Sequence, residues 1–190
     1  MDPPDDDLLI ATAAGDRDAF AALYRRRRPD VYRFALHMTG SRAAAEDIAH
    51  DVFLVVIRDA HRYQPGRSGV VAWLLGIARN YARRHSAQRT TEPIDGDEAA
   101  QGETTPLDAI ARNEEVARLR VALQGLPAVY REVIVLCDLE ELSYQDAGRV
   151  LGCAIGTIRS RLHRGRAMLT AAMRQPDGDL ASGRVPKWVL

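Results

Sequence analysis

The side chains best suited to chemistry are arginines and small hydroxyls near the C-terminal end of the chain. Residues 143–166 read SYQDAGRVLGCAIGTIRSRLHRGR. In a helix over 155–166, Thr157, Ser160, Arg161 and Arg164 are spaced three and four apart and share one surface, with Arg159, His163 and Arg166 flanking it. A guanidinium can address N7 and O6 of guanine through two hydrogen bonds, and short hydroxyl side chains allow close backbone approach. The set therefore suits base reading in a DNA major groove. The plain alternative is a solvated helix face. Such faces usually interleave both signs, whereas here four arginines (159, 161, 164 and 166) fall within eight residues and no acid lies between Asp146 and Asp177. DNA binding is the favoured reading.

A second set lies between Arg67 and Arg84. Arg79 with Arg83, and Asn80 with Arg84, are i,i+4 pairs that make a cationic strip, and Trp73 and Tyr81 border its apolar edge. Cations beside aromatic rings suit single-stranded DNA, whose unpaired bases need stacking surfaces or pockets. Trp73, at helical spacing with Leu74 and Ile77, also reads as core, and both readings stay open. A third set is acidic: Glu46, Asp47 and Asp51 share a helix face, with His50 beside them. An acidic stripe on a basic unit would repel DNA and so points to a protein partner; a solvated face is the equal alternative.

Enzyme chemistry finds little support. The five histidines (37, 50, 61, 85 and 163) and two cysteines show no metal-ligand spacing. Cys153 and His163 fall short of the four ligands a structural zinc site needs. No GxxxxGK[ST], HExxH or GxSxG sequence occurs. The expectation is a binding protein with no catalytic residues, no metal and no cofactor.

The elements that must position these side chains all read as helices. Ser143 followed by Asp146 resembles a capping box that starts a helix at Tyr144, Gly152 permits a tight turn, and Ile155, Ile158, Leu162 and Leu169 form the inward stripe of the next helix. That is a helix–turn–helix, the arrangement major-groove readers use. Upstream, Pro127 opens one helix and Val116, Leu119 and Leu123 line another. Near the N-terminus, Phe20, Leu23 and Tyr24 recur helically until Pro29 stops or kinks the helix. Val31, Phe34, Ala35 and Met38 resume the pattern as far as Gly40. Ser41 caps a helix with Ile48, Val52, Val55 and Val56 on one face, residues 64–69 form a loop, and a long helix runs on to about Gln88.

Charge divides the chain in the same way. The net charge is zero, yet residues 1–91 carry 14 bases against 11 acids, residues 92–117 one against eight, and residues 118–174 nine against five. Two basic blocks flank an acidic strap, an arrangement suited to a polyanion. The fold class expected is all-α: a helical domain over 1–91, an acidic linker over 92–113, a helix–turn–helix domain over 114–174 and a tail over 175–190. The longest apolar runs, Val52 to Ile57 and Val70 to Ala78, are far short of the roughly 18 to 20 residues that span a bilayer. The acidic N-terminus does not look like a secretory signal, and two cysteines make no disulfide framework, so the expected address is the cytoplasm.

The order of these pieces resembles the sigma factors of bacterial RNA polymerase, specifically the extracytoplasmic-function (ECF) group, over roughly residues 16–174. In the first block the resemblance rests on Asp18-Ala19-Phe20 with Leu23-Tyr24, on residues 45–53 (AEDIAHDVF), and on Ala72-Trp73-Leu74 with Ile77-Ala78-Arg79-Asn80. In the second it rests on Leu126-Pro127, Tyr130-Arg131-Glu132-Val133, Leu142-Ser143-Tyr144, Leu151-Gly152 and residues 156–164 (GTIRSRLHR). Each piece alone is moderate; both sets in order, separated by a linker, are specific.

The resemblance implies roles. Glu46, Asp47, His50, Asp51 and Phe53 match the surface that docks on the clamp of the polymerase largest subunit. Loop 62–69 with Arg62 and Arg67, and the helix bearing Trp73, Arg79, Asn80, Arg83 and Arg84, match the part that melts the −10 element and holds an extruded nontemplate base. The helix carrying Thr157, Arg159, Ser160, Arg161, His163, Arg164 and Arg166 matches the reader of the −35 element. Core RNA polymerase and promoter DNA are the implied partners, together with an anti-sigma factor, often membrane-anchored. Where this chain has Arg83-Arg84, relatives often have an apolar residue and then Asp, so altered −10 preference or tighter backbone contact is expected. His50 stands where Gln is common, and Ala147 replaces a bulkier apolar residue. Ala154 stands where a Ser cap or Pro is usual. Three rivals remain: a helix–turn–helix regulator independent of polymerase, a decoy that titrates an anti-sigma factor, and a nucleic-acid-processing enzyme. The first needs neither the Trp73 helix nor the acidic face, the second should lack the recognition arginines, and the third lacks a carboxylate or metal constellation.

Overall fold

The computed structural model describes residues 3–89 and 108–174. These residues form eight α-helices in two packed units and, among themselves, no strand. The first unit contains α1 (Asp5–Ala13), α2 (Arg17–Thr39), α3 (Arg42–Asp59), a 3-10 turn (Ala60–Arg62) and α4 (Val70–Arg89). The second contains α5 (Asp108–Gly125), α6 (Ala128–Ile134) prolonged by a π-helical turn (Val135–Leu139), α7 (Tyr144–Leu151) and α8 (Ile155–Arg174). Helix α5 thus begins inside the stretch 92–113 expected to be linker. The rest of that stretch, and the tail over 175–190, lie outside the described residues.

Nothing in the apolar periodicity of the first residues announces α1. It forms because Asp5, Asp6 and Asp7 occupy its first turn, where acids complement the exposed N–H groups, and because Leu8, Leu9 and Thr12 are buried. Arg26 of α2 reaches back to Asp5 at 2.9 Å. Of the two outcomes expected at Pro29, a stop or a kink, the stop is corrected: helix α2 continues through it. The ring removes one N–H, but Leu23, Val31, Phe34, Ala35 and Met38 continue one buried face across it. Pro29 itself is exposed. The caps at the next junction are those expected: Gly40, at φ 72°, donates its N–H to Leu36, and Ser41 Oγ accepts from Ala44 N–H.

In the second unit Ser143 Oγ accepts from Asp146 N–H and starts α7, and Gly152, at φ 66°, ends it. Gly148 makes the turn between α7 and α8 possible, since a Cβ there would lie 2.9 Å from the carbonyl oxygen of Cys153. Ile158 and Leu162 of α8 are buried, as are Ile134, Val135 and Leu136 of the α6 segment on which it packs. The two units are not beads on a string. Helix α7 lies on α4, and α2 lies on both α5 and the π-turn.

Candidate nucleic-acid interface

Burial of Ile158 and Leu162 fixes the rotation of α8 and sends the opposite face outward. Arg159, Ser160, His163 and Arg164 are exposed, whereas Thr157 and Arg161 are half-buried. Ser160 donates its hydroxyl to Thr157 O at 3.1 Å. Arg159, Arg161 and Arg164 have no carboxylate partner among the described residues. Arg166 differs, because its Nε and Nη2 bond both oxygens of Asp138 at 2.9 and 2.6 Å. It ties α8 to the π-turn. Ile155, expected on the inward stripe, is corrected by the structure: it is 41% exposed.

The second set converges on a cavity of about 670 Å³. Arg62, Tyr63 and Arg67 from the loop side, and Trp73 and Asn80 from α4, line it. Trp73 is half-buried and meets Tyr63 edge-on, with ring centroids 5.6 Å apart. Trp73 thus packs against the core on one side and lines the cavity on the other. Tyr63 donates to Ser68 O at 2.8 Å and also bonds Asp6, which holds the loop against α1. Arg83 and Arg84 are exposed, and the Arg84 guanidinium lies 5.6 Å from the centroid of the Tyr81 ring.

Arg79 is placed otherwise. Its Nε and Nη2 bond both oxygens of Glu132 at 2.9 and 3.1 Å, and its Nη1 reaches Val150 O at 3.3 Å. The pair is nearly buried, with side chains 14% and 6% exposed. Arg149 and Val150 of α7 complete the cavity wall on that side.

On α3, Asp47 and His50 are exposed, Asp51 is half-buried, and Glu46 is exposed but paired with Arg28. Phe53 is a correction to the proposed docking face: it is 2% exposed and packs against Phe20 and Tyr24, with centroids 6.3 and 4.8 Å away. Residues two apart on a helix point to nearly opposite sides, so Phe53 cannot share a face with Asp51. Leu54 and Ile57, on the side of α3 that carries His50 and Asp51, are 50% and 59% exposed. Leu54 lies three and four residues from Asp51 and His50, and Ile57 three from Leu54 and seven from His50, a helical spacing that marks them in the sequence.

Among the described residues no group of three or more His, Cys, Asp or Glu could hold a metal, and no helix is long and apolar enough to cross a membrane. Cys137 packs against the core, and burial pushes its thiol up to about 11, which favours the uncharged form.

Comparison with known proteins is consistent across both units. Residues 23–91 match the sigma-70 region 2 family and residues 117–169 the sigma-70 region 4 family. The chain is 35% identical to the ECF RNA polymerase sigma factor SigE of Mycolicibacterium smegmatis, over 89% of this chain and 69% of that one. It is 34% identical to the RNA polymerase sigma factor CarQ of Myxococcus xanthus, over 88% and 96%. Among solved structures, the sigma factor RpoE in complex with the anti-sigma factor NepR from Bartonella quintana superposes with a TM-score of 0.68 at 27% identity, covering 81% of this chain and 96% of that one. CnrH in complex with the cytosolic domain of CnrY also gives 0.68, at 26% identity, covering 88% and 95%.

Proposed function

Because this chain belongs to the extracytoplasmic-function group of sigma-70 RNA polymerase sigma factors, we propose a division of promoter contacts between its two helical units. As such a factor it is not an enzyme: it binds core RNA polymerase and directs promoter-specific initiation. Helix α8 reads the −35 duplex through Arg159, Arg161 and Arg164, with Thr157, Ser160 and His163 allowing close approach. Arg166 braces the helix through Asp138. The cavity between Tyr63, Trp73 and Asn80 takes an extruded −10 base, while Arg62, Arg67, Arg83 and Arg84 meet the backbone. Asp47, His50 and Asp51, together with Leu54 and Ile57 in place of Phe53, dock on the polymerase clamp.

The observation that carries this reading is the surface of α8 away from the buried Ile158 and Leu162, where Arg159 and Arg164 are exposed, Arg161 is half-buried, and none of the three has a carboxylate partner among the described residues. The same face argues against a decoy, which has no use for it. Run-off transcription with core polymerase tests the reading. Product is expected with the wild-type chain and is expected to fall at least tenfold with Arg161→Ala and Arg164→Ala combined, each base contact being worth about 1–3 kcal/mol. Unchanged product from the double variant would remove α8 as the −35 reader. The solved relatives RpoE and CnrH are held by NepR and CnrY, and an anti-sigma partner, often membrane-anchored, is proposed for this chain in the cytoplasm; co-purification from the native cell tests it.

A further inference from the structure

Helix α1 lies before residue 23, where the match to the sigma-70 region 2 family begins, and it has no part in the promoter contacts assigned above. Its first two acids nevertheless bond different elements. Asp5 is held by α2, with Arg26 Nη1 at 2.9 Å and Arg27 Nε at 2.5 Å, and Arg26 also donates to Pro3 O at 2.8 Å. Leu8 and Leu9 are buried in the next turn, so α1 is anchored to the packed helices at both places. Asp6 turns the other way and accepts from the hydroxyl of Tyr63, at the edge of the loop over 64–69.

We propose that Asp6 is a positioning residue for −10 recognition: it ties Tyr63 to α1, so that the wall which Tyr63 and Trp73 present to an extruded base is built before the strand arrives. The proposal rests on the −10 reading of the cavity given above. Tyr63 is buried, its ring meets Trp73 edge-on at 5.6 Å, and both rings line the cavity. Burial, and after it the Asp6 carboxylate, pushes the phenol up, so the hydroxyl keeps its proton and acts as a donor. That single proton faces two acceptors, Asp6 Oδ1 on α1 and Ser68 O on the loop at 2.8 Å. A carboxylate is the stronger acceptor of the two. The ring is therefore fixed first to α1 and only second to the loop. Without Asp6 the proton passes wholly to Ser68 O, and the ring then follows the loop instead of the packed helices. A wall that shifts with its loop must be ordered by the incoming base, at a cost in affinity.

The test uses holoenzyme, assembled from core polymerase and the full chain, on promoter DNA whose −10 nontemplate strand is single-stranded. The base is removed at one −10 position at a time, and affinity is measured for each strand. The wild-type chain should lose affinity at the position whose base is extruded. On the intact strand Asp6→Ala should bind about threefold more weakly than the wild type, and on the strand lacking that base the two should bind alike. Asp6→Asn should restore the loss, because an amide N–H donates to Tyr63 Oη while the hydroxyl donates to Ser68 O. Tyr63→Phe should lose at least as much as Asp6→Ala, and adding Asp6→Ala to it should lose no more. An Asp6 that merely serves the exposed N–H groups of α1 would weaken binding to both strands and would still cost affinity in the Tyr63→Phe chain. Either result overturns the proposal, as does an Asp6→Ala chain with unchanged affinity for the intact strand. The −10 reading fails separately, and the proposal with it, if no missing base weakens binding by the wild type. A wild type sensitive at one position, with an Asp6→Ala chain equally sensitive there, removes the role of Asp6 and leaves that reading standing.

Discussion

Glu140 and Arg33 meet across the seam between the two units at 3.2 Å, with only 3% of the Glu140 side chain exposed. Burial is the largest influence on this carboxyl and pushes it up to about 7, Arg33 opposes the rise, and Asp30 adds to it. Its Oε1 has no hydrogen-bond partner. The pair therefore joins the units at the cost of holding a carboxylate in a poor solvent.

A pH dependence follows from that sign. A carboxyl raised above its ordinary value favours the folded form while protonated, so its contribution is fully present below about 4.5 and is lost as pH rises through about 7. Glu140→Gln should flatten the decline of Tm between these values and melt roughly 2–5 °C above the wild type at pH 8. Parallel melting profiles for the two chains across that range would show that Glu140 titrates as in water.

Arg131 is expected to be the most sensitive arginine for folding. Its Nη1 bonds Met38 O and Gln124 Oε1, both at 2.9 Å, and its Nη2 bonds Gln124 O at 2.7 Å and Leu126 O at 3.0 Å. One planar fork thus satisfies carbonyls at the ends of α2 and α5. Arg131→Ala should cost about 2–4 kcal/mol in a denaturant titration, and Arg131→Lys should recover less than half, since an ammonium cannot reproduce the fork. Equal stability of the Lys variant and the wild type would mean that charge alone matters.

How much of this was legible beforehand depends on the range of the interaction. The rotation of α8, the caps at Ser41 and Ser143 and the stops at Gly40 and Gly152 are set by residues three or four apart, and a period of 3.6 exposes them. The face of α3 proposed to dock was legible in part. Asp47, Asp51, Leu54 and Ile57 share a face by spacing, and Phe53 falls off it by the same rule. Helix α1 is short and its apolar residues run consecutively, so no period shows, and besides the burial of Leu8 and Leu9 it is held by Arg26 and Tyr63, far along the chain. The partner of Arg79 was not legible at all. Glu132 lies 53 residues away, and its burial depends on how the second unit is laid against the first. As a single acid in Tyr130-Arg131-Glu132-Val133, it reads like any solvated side chain.

Gly148 tests the helix–turn–helix geometry without touching a DNA contact. Its missing Cβ leaves room for the Cys153 carbonyl, a backbone atom that cannot swing aside. Gly148→Ala should destabilise the second unit by roughly 1–3 kcal/mol and weaken binding to −35 duplex in proportion to the unfolded fraction. A stability within error of the wild type would mean that the turn between α7 and α8 is looser than its close approach implies.

Arg164 and Arg166 are two residues apart on the same helix, carry the same charge, and should behave differently. Arg164 is exposed with no carboxylate partner among the described residues, whereas Arg166 holds Asp138 through two bonds. An ion pair this exposed, with the arginine side chain 54% accessible, contributes at most about 1 kcal/mol to stability. Its guanidinium must also leave Asp138 before it can serve DNA. Arg164→Ala should therefore weaken −35 duplex binding by about 1–3 kcal/mol and lower the slope of log affinity against log salt if the contact is to phosphate, or relax sequence preference at one base pair if it is to a base edge. Arg166→Ala should weaken binding less than Arg164→Ala and leave the salt slope nearly unchanged. The comparison is made by titrating both variants against one duplex at several salt concentrations, and a larger loss from Arg166 than from Arg164 would show that the Asp138 pair breaks on the promoter.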